Sequence, residues 1–169
     1  MGRKLISMLF IFLAIAFLGG CADKKTESGK DKKMQVGEVS IQGEVFSVTS
    51  PFESMKEKLG EPENYQESKS CLYDGFDKTY QYSNLIITTY PSKGKEYISS
   101  ITLLKNTKDL DYQSYVKLGE SKKNLEKALQ GKKYGTSPTC YQLEEEKVGF
   151  AFYLEGENVT KIEIYSITK

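Results

Sequence analysis

The chain has 169 residues, with 24 basic against 23 acidic side chains and a formal net charge of +1. Without a basic excess or a one-sided charge run, nucleic acid is not an expected partner. Histidine and tryptophan are both absent, which removes Ser-His-Asp and Cys-His catalysis and every zinc site that uses a histidine; carboxylate-pair hydrolysis stays chemically open.

At the N-terminus, Arg3 and Lys4 precede an apolar run over residues 5–17, broken only by Ser7. Roughly 13 residues are too few for a hydrocarbon core that takes about 20, so the run reads as the core of an export signal rather than a lasting span. Leu18-Gly19-Gly20-Cys21 closes it and resembles the bacterial lipobox. That resemblance implies cleavage before Cys21 and a diacylglyceryl group on its thiol. The membrane is then a partner through lipid on Cys21, and the protein sits on the extracytoplasmic face. Each buried acyl methylene contributes about 0.8 kcal/mol, so two or three chains hold a small domain stably. Residues 1–20 are expected as the lipoprotein signal peptide and 21–37 as a lipidated flexible tether. Residues 22–33 hold no aromatic and no β-branched apolar side chain, and so cannot offset their ordering entropy. Taking Arg3 and Lys4 away from the formal +1 leaves the mature chain at −1.

About 130 residues follow the tether, enough for one domain with a real core. Residues 39–48 predict a leading strand or hairpin split at Gly43. Ser50-Pro51-Phe52-Glu53 predicts a helix start, with Ser50 as N-cap, Pro51 at the first helical position and Glu53 completing a capping box. Phe52, Met55 and Leu59 continue at helical spacing, and Gly60-Glu61-Pro62 ends the segment. Strand-like runs follow at 79–82, 85–90 and 97–104. Gly119-Glu120-Ser121 opens a second helix over 122–130, with Leu125, Ala128 and Leu129 as its apolar stripe and Gly131 as its stop. The runs at 140–143, 148–154 and 159–165 follow it, and turn-forming clusters separate all these runs.

The order helix, then strands, occurs twice. Met55 and Leu59 correspond to Leu125 and Leu129 at a constant offset. Tyr80-Gln81-Tyr82 matches Tyr141-Gln142-Leu143, and Ile98-Ser99-Ser100-Ile101 matches Val159-Thr160-Lys161-Ile162. An insertion of about nine residues near 71–78 in the first copy accounts for the change of offset. The expected fold class is therefore α+β, as two tandem helix-then-antiparallel-strands repeats over 38–110 and 111–169, with both helices on one face of the sheet. Val116-Lys117-Leu118-Gly119-Glu120-Ser121, leading into a lysine-rich helix, resembles the β-lactamase-inhibitor-protein architecture and the small outer-membrane assembly lipoproteins. The segment Ser70-Cys71-Leu72-Tyr73-Asp74-Gly75-Phe76-Asp77-Lys78-Thr79-Tyr80, with Thr89-Tyr90-Pro91, is similar to uncharacterised lipoproteins of Gram-positive gut anaerobes, which carry no known activity. Fold-level likeness does not transfer function.

Cys71 and Cys140, in an oxidising compartment, suggest a disulfide between the insertion and the second copy, with two separate thiols as the alternative. Asp74-Gly75-Phe76-Asp77 supplies two carboxylates without EF-hand spacing and reads as an acidic turn. Glu144-Glu145-Glu146 reads as a solvated hairpin tip, so no metal, cofactor or catalytic residue is expected. Of the twelve tyrosines, Tyr80, Tyr82, Tyr90 and Tyr97, together with Phe76, are the candidate binding surface, because an exposed aromatic group suits a partner protein or glycan. The composite expectation is a non-enzymatic module that binds an envelope protein. The alternatives are a hydrolase inhibitor that uses the 73–78 loop as a plug and an envelope enzyme built on carboxylates. Cys21→Ser is expected to move the protein from the detergent phase to the aqueous phase on partitioning, and a variant that stays in detergent excludes lipid on this residue.

Overall fold

The computed structural model describes residues 33–167; Cys21, the expected signal and most of the expected tether lie outside them. The described chain opens with β1 (Val39–Ile41) and β2 (Glu44–Phe46), a hairpin turning through Gln42 and Gly43. Helix α1 (Glu53–Leu59) leads into four strands: β3 (Asn64–Lys69), β4 (Phe76–Gln81), β5 (Leu85–Ser92) and β6 (Lys95–Leu103). Strand β7 (Leu110–Tyr112) returns to pair with β1. Helix α2 (Lys122–Ala128) is then followed by β8 (Tyr134–Ser137), β9 (Cys140–Glu145), β10 (Val148–Glu155) and β11 (Asn158–Ser166).

The strands form a three-stranded sheet, β2-β1-β7, and an eight-stranded sheet, β3-β4-β5-β6-β11-β10-β9-β8, in which every neighbouring pair is antiparallel. The architecture is mainly β, which corrects the expected α+β balance: each helix is only seven residues long. Two local features shorten the helical content. Ser50 does not cap α1; its hydroxyl instead meets the Ser47 N–H at 3.4 Å and the Ser47 hydroxyl at 3.1 Å, and Pro51 bridges to Tyr97. The helix starts behind Phe52 with no side-chain cap. At α2 the expected start holds, since the Ser121 hydroxyl accepts from the Asn124 N–H at 3.3 Å, but the helix ends at Ala128 rather than at Gln130. The extra strands β3 and β8 are exposed along their whole length, and the expected boundary between 110 and 111 falls inside β7.

The register assigns each side of the large sheet. Tyr80, Leu85, Ile87, Ile101, Leu103, Ile162, Ile164, Phe150, Phe152, Tyr141 and Leu143 stand on one side, and all are buried in a single cluster with Met55, Leu125 and Leu129 from the helices and Val39, Ile41 and Phe46 from the small sheet. Phe52 packs on Tyr80 with ring centroids 4.6 Å apart, and Tyr115 meets the Phe150 ring edge-on at 5.4 Å. The alternate side is built differently. Thr79, Thr88, Ser100, Thr102, Gly149 and Ala151 give it a floor of small side chains. Gly149 is required there: a Cβ at this position would stand 2.2 Å from the Tyr165 ring, which lies across it from the neighbouring strand.

Ile101, fully buried at the centre of the large sheet, faces Ile87 on one side and Ile164 on the other. Ile101→Ala is expected to cost about 2–5 kcal/mol and Ile101→Val about 1 kcal/mol, read as the shift in denaturant midpoint at unchanged slope.

Candidate functional site

The two ends of the aromatic set part company in the structure. Tyr80 is 4% exposed, held between the rings of Phe52 and Tyr65, and its hydroxyl donates to Glu96 Oε2 at 2.8 Å. Tyr82 is also buried and donates to the Gly60 carbonyl at 3.4 Å. Both belong to the core. Phe76 is 49% exposed at the start of β4, opposite Lys69, and shares its side of the sheet with Tyr80. Only Tyr90 and Tyr97 stand on the open face, as cross-strand partners with stacked rings 5.8 Å apart.

Sequence pattern missed the third member of that stack. Tyr73 comes from the loop between β3 and β4 and lies on Tyr90 at 4.8 Å. The loop is closed by the Ser70 N–H, which donates to the Gly75 carbonyl at 3.0 Å, and the Ser70 hydroxyl accepts from the Tyr73 N–H at 3.3 Å. Gly75 has φ 122° and lies against Pro91, where a Cβ would come within 3.1 Å. The result is a ladder, Tyr73–Tyr90–Tyr97, projecting from one half of the open face. Burial, and after it the neighbouring Tyr73 and Tyr97, push the Tyr90 hydroxyl above its ordinary value.

On the other half Tyr153 and Tyr165 take the corresponding role. The Tyr153 hydroxyl donates to Glu163 at 3.1 Å while Lys161 sits 3.8 Å from its ring centroid. Burial first, then the Glu163 carboxylate, raise the Tyr153 hydroxyl to about 12. Between the aromatic groups, Thr88 shares hydrogen bonds with Ser99 at 3.0 Å and Ser100 at 2.5 Å.

Two tyrosine–glutamate–lysine clusters lie apart from this surface. In one, Glu96 accepts from Tyr80, from Thr89 and from Lys78, with which it forms an ion pair. Burial pushes the Glu96 carboxyl up, but the hydrogen bonds from Lys78, Tyr80 and Thr89 outweigh it and hold it below its ordinary value. In the other, Glu145 accepts from Lys132 and Tyr115 and is likewise held down by them, with Lys132 over the Tyr115 ring at 4.7 Å. These carboxylates are displaced in the direction opposite to that of a general acid, which needs a raised value. They serve as acceptors: Glu96 ties β6 to β4 and β5, and Glu145 ties β9 to the loop segments at Tyr115 and Lys132.

Cys71, exposed in the β3–β4 loop, and Cys140, at the start of β9, are both free thiols, so the expected disulfide is not formed. The β3–β4 hairpin that carries Cys71 is at least five inter-strand steps of about 4.8 Å each from β9, against the roughly 7 Å between Cα atoms that a disulfide spans. Among the described residues no group of three or more acidic or cysteine side chains is placed to hold a metal ion, and no helix is long and apolar enough to cross a membrane. Comparison with models of known families, with curated proteins and with solved structures finds no match.

Glu96 generates a pH dependence. Its folded-state value is lowered from 4.5, so its contribution is present above that value and is lost as the pH falls through the lower folded one. Glu96→Gln is expected to cost about 1–2 kcal/mol at neutral pH and to flatten the acid limb of the stability curve below about pH 4.5, measured by denaturant titration at stepped pH.

Proposed function

We propose that the chain is a non-catalytic binding module, held by lipid on Cys21 at the extracytoplasmic face of a membrane, which takes an envelope protein on the open face of its large sheet. The observation that carries this reading is the Tyr73–Tyr90–Tyr97 ladder beside a floor of small side chains. Tyrosines fixed by stacking lose little entropy on contact, and such rings dominate interface energetics. The floor of Thr88, Ser100, Thr102 and Ala151 leaves relief for a partner to fill.

The tandem origin of the domain belongs to the same proposal. Helix α1 precedes β3–β6 and α2 precedes β8–β11, and outward from the β6–β11 pair both sets run in the same descending chain order, β6 to β3 and β11 to β8. Both sets carry a register shift in matching segments: Ser99 is skipped between Ile98 and Ser100 against β5, and Thr160 between Val159 and Lys161 against β10. An irregularity repeated at the same place supports duplication more strongly than regular strands would, because bulges are retained features of a fold. The element order is also the one the β-lactamase-inhibitor-protein likeness implies. The inhibitor reading has less support, since Tyr73 folds back onto Tyr90 and leaves Leu72, 79% exposed, as the large apolar side chain at the loop tip.

The test is crosslinking capture with the full lipidated chain from envelopes of its own host. One partner is expected in stoichiometric yield with the wild type. It should be lost with Tyr90→Ala and Tyr97→Ala together and kept with Phe76→Ala, which lies on the other side of the sheet. Capture that is indifferent to the tyrosine pair rejects the open face as the contact.

A further inference from the structure

Beneath the Ser70–Tyr73 loop, the open face holds a cavity of about 280 Å³ walled by Ser68, Tyr73, Asp77, Thr79, Thr88 and Tyr90 among others. Its volume lies just under the usual range for small-molecule sites and suits one side chain better than an extended ligand. Hydroxyls and aromatic rings make up most of the wall, and Asp77 is its acidic group. Asp77 precedes Lys78 on β4 and Tyr90 follows Thr89 on the antiparallel β5, so one step beyond the Lys78↔Thr89 pair sets the carboxylate beside the tyrosine ladder. Its Oδ1 is shut off from solvent and has no hydrogen-bond partner. Lys78 also lines the cavity but does not answer it, because its ammonium is paired with Glu96 on the other side of the sheet.

The Asp77 side chain is half-buried, so its carboxylate is reachable from the cavity, and its unpaired oxygen calls for a strong donor. The charge of the acceptor selects the kind. On the half of the open face that holds the cavity, the strands carry Asp77 and the lone cation Lys95. Glu144, Glu155 and Glu163 lie on β9 to β11, with Lys161 engaged over the Tyr153 ring. A cationic donor meets both conditions and also gains from lying along tyrosine rings. Resting on the open face as a protein contact, we propose that this cavity receives a basic side chain of the partner protein, which donates to the Asp77 carboxylate and lies against Tyr73 and Tyr90.

The full chain, held in detergent micelles, is titrated with N-acetyl-arginine amide while the tyrosine ring signals are followed by NMR. Saturable shifts of Tyr73 and Tyr90 are expected in the wild type. Binding should weaken at least tenfold for the uncharged N-acetyl-citrulline amide and in Asp77→Asn. Equal binding of the citrulline compound, an unaffected Asp77→Asn, or displacement of the arginine compound by N-acetylglucosamine would each overturn the assignment. Asp77→Asn should melt no lower than the wild type, since it removes an unpartnered charge, and a lower melting temperature would make Asp77 a structural residue instead. In the capture experiment, Asp77→Asn should reduce partner recovery at least tenfold. Full recovery with Asp77→Asn, alongside loss with the Tyr90 and Tyr97 pair, would leave the open face as the contact and overturn the basic-side-chain pocket alone.

Discussion

The fold depends on the antiparallel seam between β6 and β11, where Ile101 faces Ile164 and Leu103 faces Ile162. All four side chains are fully buried. A seven-residue helix over four strands encloses little apolar surface, and small units of that kind are hard to stabilise alone. Joined at the seam, the two sets of strands give a sheet broad enough for both helices and the small β2-β1-β7 sheet to share one cluster. Because all of these pack on the same side, the seam also determines which side is left open.

Two register shifts decide which residues reach that open side. Counting strict alternation along β6 from Ile101 would put Tyr97 in the core and Ile98 outside. Skipping Ser99 reverses this: Ile98 pairs with Thr89 and is buried, and Tyr97 faces Tyr90 on the open side. The skip of Thr160 likewise keeps Val159 buried against Leu154 while Lys161 pairs with Tyr153. A single extra residue per strand thus supplies the aromatic ladder at one end and the Lys161–Tyr153 contact at the other, which is the re-aiming that bulges perform elsewhere.

Much of this was legible in the residues. The strands that alternate, β4 to β6 and β9 to β11, carry the period-2 signal of a half-buried sheet, and the leading hairpin shows in its split at Gly43. Strands β3 and β8 do not: Asn64–Lys69 and Tyr134–Ser137 are exposed at every position, so no apolar period marks them and the backbone ladder to a neighbour defines them. Ser50 was misleading for a related reason, because its hydroxyl serves a tight turn with Ser47 where a helix cap fits the same local sequence. The aromatic set could be found by composition but not divided. Tyr80 and Tyr90 stand in similar local sequence, and only the register places one beneath α1 and the other on the open face. Asp77 lies in a stretch that reads as an acidic turn, and what sets it apart, an oxygen without a partner, depends on a loop folding over it.

In the proposed contact, stability and binding pull in opposite directions at this loop. An unsatisfied buried polar atom costs about 1–3 kcal/mol, against a total of about 5–15 kcal/mol for a domain of ordinary stability. The core has no matching defect around Glu96 or Glu145, whose carboxylates are each met by two or more donors. Among the described residues, Glu96 and Glu145 are thus satisfied where they brace the fold, and Asp77 keeps an unpaired buried oxygen where the sheet is uncovered. Gly75 and the Ser70 turn hold Tyr73 over that point, so the defect lies within a rigid frame. A rigid frame around an unmet hydrogen-bonding group is the arrangement in which a partner gains most on docking, because the ordering cost has been met in folding and the missing donor arrives with the partner.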